Sequence, residues 1–239
     1  MKILVRGCGW VTVAGSGRGP LSDGAFAVAG QPRISDSSLV GWSGGSRFGR
    51  LDLFSRVGVA AVALALQDAG LRTGETGGEL RDIGLIVATV SGSQRTDREF
   101  YQSMTATPGL GSPALFVYTL ATSFVGEAAL RFGLSGATLA LNENEISGLD
   151  ALRVAFEQLS NGDDVAFLVG VNNLFPAEKP FPSLGQGACF LVLEKERRSD
   201  PQNTYGELVF DDKLENVCFN GFPCSGIIGL GEMLAENSL

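Results

Sequence analysis

The chain has 239 residues, of which 44% are hydrophobic and 18% charged, a composition typical of a folded globular protein. Its formal net charge of −8 excludes a basic surface that neutralises a nucleic-acid backbone and gives no attraction to anionic lipid headgroups. The sequence contains no histidine, so the commonest general base and the commonest metal ligand are absent from it.

The N-terminus and the cysteines indicate a cellular compartment. Arg6 and the glycines around it interrupt the first apolar run before a signal-peptide core of about 7 to 15 residues forms. No apolar run approaches the roughly 20 residues that span a bilayer. Cys8, Cys189, Cys218 and Cys224 show no CxxC pair and no metal-ligand spacing. We therefore expect a cytoplasmic protein with no membrane segment, no metal, no cofactor and reduced cysteines, of which only Cys218 and Cys224 are candidates for reactive thiols.

The first part of the chain alternates strand and helix patterns. Short strands are predicted at residues 2–5 and 10–13, on either side of a glycine-rich bend. Residues 14–50 are rich in glycine and serine and predict an extended excursion over the surface. Apolar residues at helical spacing then predict a buried helix over 51–71, and the β-rich run IGLIVATVSG predicts a strand over 83–92.

The middle of the chain repeats this alternation. Residues 94–111 are polar and predict a surface loop with helical pieces, followed by a long apolar helix over 115–134 that is closed by a glycine. A strand is predicted at 138–141, a helix at 147–159 and a fully buried strand at 164–172. Strands that alternate with helices of this length indicate an α/β domain with a largely parallel sheet.

The last part of the chain is less regular. CFLVLEKE predicts a strand at 189–196, and TYGELVF predicts another at 204–210. The segment IIGLGEMLAEN, residues 227–237, predicts a final short helix. No change of composition marks a clear domain boundary.

The segment TLALNENEISGLDAL, residues 138–152, places a strand, a sharp polar turn and a helix in succession. Such a turn lies beside unpaired N–H groups at the helix start, where an anion is stabilised and a thiol is pushed toward thiolate. Glu145 stands in this turn, and three interpretations stay open. In the first, Glu145 is a general base, and in the second it is a carboxylate stabilised by about 0.3 to 1 kcal/mol at the helix N-terminus. In the third, either Glu145 or Glu143 reaches across an interface to a partner's arginine or backbone donor. We favour the second.

A further interpretation of the turn concerns the two glutamates together. Glu143 and Glu145 are two residues apart and would share one face of an extended segment. Such a carboxylate pair suits acid–base chemistry or, with Asp150, a metal ion. A solvated turn is the simpler interpretation, because no third ligand is evident nearby.

Seven segments of the sequence fall in a familiar order: VRGCGWVT, RLDLFSRVGVAAVALALQDAGL, GLIVATVSGS, YTLATSFVGEAALRFGL, FGLSGATLALNENEISGLDAL, NGDDVAFLVGVN and SLGQGACFLVLEKE. In this order they resemble the strands and helices in the first half of the β-ketoacyl synthases, condensing enzymes with the thiolase fold. The resemblance covers residues 1–198 and implies a half-length, thiolase-like α/β domain with a layered, mixed or parallel central sheet covered by helices. Residues 199–239 are then a shortened C-terminal remnant, a strand plus a short helix.

The resemblance also shows what the chain lacks. The family's nucleophilic cysteine aligns with Glu145, and the two catalytic histidines of the family have no counterpart. A carboxylate does not replace the cysteine as an acyl carrier, because an acyl-glutamate is a mixed anhydride and far more reactive than a thioester. We therefore expect no catalytic residue and no acyl transfer by the chain alone.

The resemblance further implies a partner protein. Condensing enzymes of this family are dimers in which the strand before the nucleophile pairs with its copy across a two-fold axis. The matching positions here are Thr138, Leu139, Ala140 and Leu141. Phe116, Tyr118 and Phe124 would lie near the same interface, although aromatic residues at such spacing are more often part of a core. Chain-length factors, family members with a substituted cysteine, pair with an active synthase in some polyketide and aryl polyene pathways.

The predicted function is accordingly a chain-length-factor-like subunit of an active ketosynthase in type II fatty acid, polyketide or aryl polyene biosynthesis. Its contact with acyl carrier protein would be indirect, through the ketosynthase. Two alternatives stay open. One is an enzyme that acts on acyl thioesters through Glu145, as a decarboxylase or hydrolase, and the other is a homodimeric module that binds an acyl chain.

Overall fold

The structure is a computed structural model that describes residues 2–22, 26–27, 48–71, 80–106, 110–162, 165–175, 186–196, 204–211 and 213–236. Ten strands lie in these ranges: β1 (Ile3–Thr12), β2 (Gly15–Arg18), β3 (Leu21–Ser22), β4 (Gly84–Thr89), β5 (Thr138–Asn142), β6 (Ala166–Asn173), β7 (Gly187–Lys195), β8 (Gly206–Phe210), β9 (Val217–Phe219) and β10 (Phe222–Cys224). Six helices accompany them: α1 (Leu53–Asp68), α2 (Gln94–Ala106), α3 (Pro113–Phe116), α4 (Ser123–Phe132), α5 (Leu149–Asn161) and α6 (Ile227–Ala235).

The ten strands form one mixed sheet. Its main path runs β10–β9–β8–β1–β7–β6–β4–β5, and β2 and β3 extend from the second half of β1. Among these strands β4 pairs in parallel with β5 and β6, while β1 and β7 pair antiparallel with their neighbours. The layered α/β fold with a mixed sheet is as expected, but the sheet is less parallel than the alternation of strands and helices indicated. The reason is that β6, β7, β1 and β8 lie side by side as antiparallel neighbours.

Helices cover both faces of the sheet. α1 and α4 pack on one face, and α5 and α6 pack on the other. Twelve of the sixteen residues of α1 are buried, which agrees with its nearly continuous apolar sequence. Asp52 begins this helix by accepting the Ser55 N–H at 3.0 Å, and Gly70, with φ 72°, follows its end as predicted.

The glycines near the N-terminus lie inside a single strand, so the predicted bend between two short strands is wrong. A Cβ atom on Gly9 would lie 2.1 Å from the Ala65 backbone nitrogen, and one on Gly7 would lie 2.5 Å from the Ala65 carbonyl oxygen. The two glycines therefore let α1 approach the strand closely. The strand is irregular only between Val5 and Gly7, where its register with β7 shifts.

The long helix predicted over residues 115–134 is interrupted. It consists of α3 and α4 with a turn between them. In this turn the Ser123 hydroxyl donates to the Val117 carbonyl at 2.6 Å, and the Thr119 hydroxyl donates to the Phe116 carbonyl at 2.8 Å. Side-chain hydroxyls thus compete for carbonyls that a continuous helix would use. The predicted end of α4 at Gly133 is confirmed, since this residue is left-handed with φ 67°.

Three further segments differ from their predictions. Residues 94–111, predicted as a surface loop with helical pieces, contain one longer helix, α2. The excursion predicted over 14–50 begins with β2, which is hydrogen-bonded to β1, and most of the remainder lies outside the described residues. The C-terminal part contains α6 and β8 as expected, but also the hairpin β9–β10, whose turn residues Asn220 and Gly221 have φ of 50° and 84°.

Within the described residues, no helix combines the length and the apolar character needed to cross a bilayer.

Candidate functional site

The turn between β5 and α5 lies where two parallel strands end together. β5 pairs with β4, and beyond its last residue the Glu143 N–H donates to the Thr89 carbonyl at 3.0 Å. α5 begins at Leu149, two residues later than predicted, after Gly148 with φ 73°. A side chain on Gly148 would contact Val171 at 2.6 Å and Ile227 at 2.7 Å, so β6 and α6 press directly against the start of the helix. We call residues 143–148 the elbow.

Glu143 occupies the N-terminal end of α5. Its side chain is 8% exposed, Oε2 accepts the Gly148 N–H at 3.0 Å, and Oε1 accepts the Ala151 N–H at 3.0 Å. Both carboxylate oxygens are therefore engaged by amides that a helix start leaves without partners. Burial raises the pKa of Glu143, the charge of nearby Asp150 raises it further, and the hydrogen bonds from the Ala151 and Gly148 amides oppose this shift.

Glu145, by contrast, is exposed to solvent. The carboxylate that accepts amides at the start of α5 is therefore that of Glu143, and the stabilisation of Glu145 by the helix N-terminus stays a prediction. The two glutamates do not form a solvated pair, since one is buried and the other is not. Sequence reasoning missed Glu143 because the usual signal is a capping side chain at the residue before the helix, and here that residue is Gly148.

The loop after β4 is held by polar groups at the same edge of the sheet. The Asn173 side-chain oxygen accepts the Val90 N–H at 2.7 Å and the Thr89 hydroxyl at 3.2 Å. The Thr89 hydroxyl in turn accepts the Gly92 N–H at 2.8 Å. These buried side chains serve the backbone of the loop, which indicates a structural role for this polar cluster.

The helix α6 packs against the elbow from the tail of the chain. The Ser147 carbonyl accepts the Ile227 N–H at 2.7 Å and the Ile228 N–H at 3.3 Å. Residues Ile227, Leu230 and Leu234 are buried against the same side of the sheet as α5. The C-terminal helix α6 is thus in direct contact with the elbow.

β5 lies at one edge of the sheet. In the part of the chain that the structure describes, its outer side pairs with no strand. Its sequence TLALN has no charge and no proline, and Thr138, Leu139 and Asn142 are exposed. The opposite edge, β10, is only three residues long and contains Pro223. Proteins protect free edges with prolines, charges or short strands, so among the described strands β5 forms an unprotected edge.

Exposed apolar side chains cluster in sequence just before β5. We define the α2–α4 apolar surface by its members, Tyr101, Met104, Leu110, Phe116, Val117, Leu120 and Leu130. The ring of Phe116 lies 5.5 Å from that of Phe100, and α4 contacts β5. Of the residues of α2, only Thr96 is buried. Because α4 contacts β5, some of these exposed apolar side chains lie on a helix next to the edge strand, and exposed apolar area suits a protein–protein contact.

The predicted interface residues differ in their exposure to solvent. Phe116 is 62% exposed and Leu139 is 41% exposed, while Tyr118, Ala140 and Leu141 are half-buried. Phe124 is 1% exposed and packs edge-on against Phe54 and Phe190, with ring centroids 5.4 Å and 6.3 Å apart. Phe124 is therefore a core residue, because α4 turns it toward the sheet and not toward the solvent.

The four cysteines also differ in burial. Cys8 and Cys189 are buried, and a hydrogen bond with Cys189 together with burial raises the pKa of Cys8 well above its ordinary value. Cys218 and Cys224 are half-buried in the β9–β10 hairpin, and burial raises the pKa of Cys224. A raised pKa lowers the thiolate fraction, so Cys224 is a poor candidate for a reactive thiol.

Comparison with known proteins adds a family match. Residues 40–203 match the family described as "Beta-ketoacyl synthase, N-terminal domain". No curated protein matches the chain.

Several solved structures share the fold. The chain resembles "The ishigamide ketosynthase/chain length factor" with 16% identity and a TM-score of 0.65, covering 87% of this chain and 66% of that one. It resembles a β-ketoacyl synthase from Burkholderia phymatum with 19% identity and a TM-score of 0.62, covering 87% and 63%. It also resembles a type II PKS acyl-carrier protein complex with its ketosynthase, with 18% identity and a TM-score of 0.61, covering 87% and 67%. The thiolase-like fold is thereby confirmed, and the chain spans about two thirds of the length of these structures.

Proposed function

Because the chain belongs to the β-ketoacyl synthase N-terminal domain family, we propose that it is a non-catalytic, chain-length-factor-like subunit that pairs with an active ketosynthase. The pathway would be type II fatty acid, polyketide or aryl polyene biosynthesis. The exposed Glu145 stands where the family's nucleophile aligns, and the sequence has no histidine to act as the general base.

The observation that carries the proposal is the free edge of β5 beside the α2–α4 apolar surface. An extended segment that adds to this edge gains main-chain hydrogen bonds along the five residues of the strand. The exposed apolar side chains then supply the hydrophobic burial that a stable contact needs. A ketosynthase is the partner of choice because one of the structures with this fold is named as a ketosynthase/chain length factor.

The position of Glu145 does not favour the alternative of an enzyme. A carboxylate general base needs a pocket that holds the substrate within hydrogen-bond reach and raises the pKa of the base toward the working pH. Glu145 is exposed at the tip of the elbow, and the buried glutamate, Glu143, has both oxygens engaged by the start of α5. The acyl chain and its carrier protein would therefore be handled on the partner.

The test is co-expression with the full-length ketosynthase encoded nearest to this gene, followed by mass measurement of the purified complex in solution. We expect a heterodimer with the wild-type chain and none with Leu139→Lys, which places a charge on the β5 edge. Val209→Lys is the matched control, because Val209 is 48% exposed on β8, far along the sheet from β5. The control should pair like the wild type.

Three results would overturn the proposal. The first is a chain that stays monomeric beside every candidate ketosynthase. The second is a stable homodimer that binds acyl chains, which supports the binding-module alternative. The third is acyl-thioester turnover by the isolated chain that is lost in Glu145→Ala, which supports the enzyme alternative.

A further inference from the structure

The start of α5 is already occupied by an anion of the chain itself. In a strand–turn–helix elbow, free amides at the helix start stabilise negative charge on a side chain in the turn. Here the Glu143 carboxylate takes the amides of Gly148 and Ala151, each at 3.0 Å, and it does so from a buried position. A second anion in the turn would meet amides that are already bonded and a like charge two residues away.

We propose that Glu143 is a resident anion that prevents the elbow from activating whatever side chain stands at position 145. The inference deepens the proposed non-catalytic function and rests on it. It means that the elbow is inactive for two separate reasons, the residue at position 145 and the carboxylate at position 143. Restoring a cysteine at position 145 alone would then not restore a reactive nucleophile.

The other charged residues near the elbow do not favour a thiolate at position 145 either. Asp150, in the first turn of α5, is exposed and adds negative charge. Arg153 lies 2.6 Å from the Asp150 carboxylate and also donates to the Leu214 carbonyl, so its guanidinium is engaged by these two groups. Of the elements that pack against the elbow, β4 and β6 contain no charged residue, and α6 contains only Glu232, which is exposed and negative. The net local charge therefore opposes formation of a thiolate.

The experiment compares three variants of the full chain by the pH dependence of iodoacetamide alkylation, followed at position 145 by peptide mass spectrometry. The first is Glu145→Cys. The second is Glu145→Cys/Glu143→Gln, which removes the resident charge with almost no change of shape. The third, Glu145→Cys/Glu157→Gln, is a matched control that removes an exposed charge farther along the same helix.

We expect the thiol introduced at position 145 in the single variant to react with a midpoint at or above about 8.5, the ordinary value for cysteine. Removing the Glu143 charge should lower the midpoint by about one unit, which corresponds to roughly tenfold faster alkylation at neutral pH. The Glu157 control should behave like the single variant. A single variant that is already largely thiolate at neutral pH, or a folded double variant with an unchanged midpoint, overturns the inference.

A second measurement tests the inference if the double variant Glu145→Cys/Glu143→Gln does not fold. In the single variant, the amide proton signals of Gly148 and Ala151 should shift together as Glu143 titrates, because its oxygens accept both. Amide signals that do not follow this titration overturn the inference. Neither experiment involves a partner protein, so this inference and the proposed pairing fail separately.

Discussion

Replacing Glu143 tests the observation that this residue, and not Glu145, holds the start of α5. Glu143→Ala leaves the amides of Gly148 and Ala151 without their acceptors, and the site is 8% exposed. Each hydrogen bond to a charged acceptor contributes about 1.5 to 3 kcal/mol. Desolvation of the buried carboxylate offsets part of this, as its raised pKa shows, so we expect a total loss of about 2 to 4 kcal/mol.

Glu145→Ala is the matched control. This side chain is exposed, so its removal should change the free energy of unfolding by less than about 0.5 kcal/mol. Both variants and the wild type are compared by urea unfolding, monitored by far-UV circular dichroism. Equal destabilisation by the two substitutions, or a larger effect of Glu145→Ala, would refute the assignment of the helix start to Glu143.

The pH dependence of stability gives the same residue a second test. The folded-state pKa of Glu143 is raised above its unfolded value, so the folded state holds its proton more tightly. The stability that this group contributes is fully present below the unfolded pKa and is lost as pH rises through the folded pKa. The advantage of the wild type over Glu143→Gln, which does not titrate, should therefore shrink as pH rises from about 4, near the ordinary pKa of glutamate, through the folded-state pKa. An advantage that grows as pH rises contradicts the direction of the shift.

Two further pairs of substitutions test the packing by chemical denaturation. Gly9→Ala should lower the free energy of unfolding by about 3 kcal/mol or more, because the added Cβ would lie 2.1 Å from a backbone atom of α1. Gly126→Ala lies on the exposed face of α4 with open space around it, and it should raise the free energy of unfolding by about 0.5 to 1 kcal/mol. A well-tolerated Gly9→Ala would contradict the close approach of β1 and α1. Phe124→Ala truncates a core side chain and should lower the free energy of unfolding by about 3 to 5 kcal/mol. Phe116→Ala should leave the free energy of unfolding unchanged within about 0.5 kcal/mol and should weaken association with the ketosynthase. An equal loss of stability in both would show that Phe116 is also part of the core.

Periodicity identified most of the buried elements. The apolar residues of α1, the continuous run of β6 and the glycine after α4 each carry a local signal, because burial and chain reversal impose residue types on neighbouring positions. The same kind of local signal gave a wrong prediction where a residue packs against a segment that is distant in sequence. Gly7 and Gly9 looked like a bend because their purpose, room for α1, lies more than fifty residues away in sequence.

The aromatic residues before β5 show a related limit. Phe116 and Phe124 are eight residues apart in an apolar stretch, and helical spacing alone puts them on one face. The hydroxyl-bonded turn between α3 and α4 interrupts the helix, and the ring before it is exposed while the ring after it is buried. Sequence spacing cannot assign a common face across such an interruption.

By itself, the sequence determined the alternation of strands and helices, the family resemblance and, through it, the prediction that Glu145 stands where the family has its nucleophile, because these depend on residue types along the chain. Only the tertiary structure decided which glutamate holds the helix, because that depends on where β5 ends relative to the amides of α5. It likewise decided that β5 is an edge of the sheet formed by the described residues, since an edge is a property of strand order. Residue types and their local patterns can be identified along the chain, whereas burial and the edges of a sheet are set only when distant segments pack together.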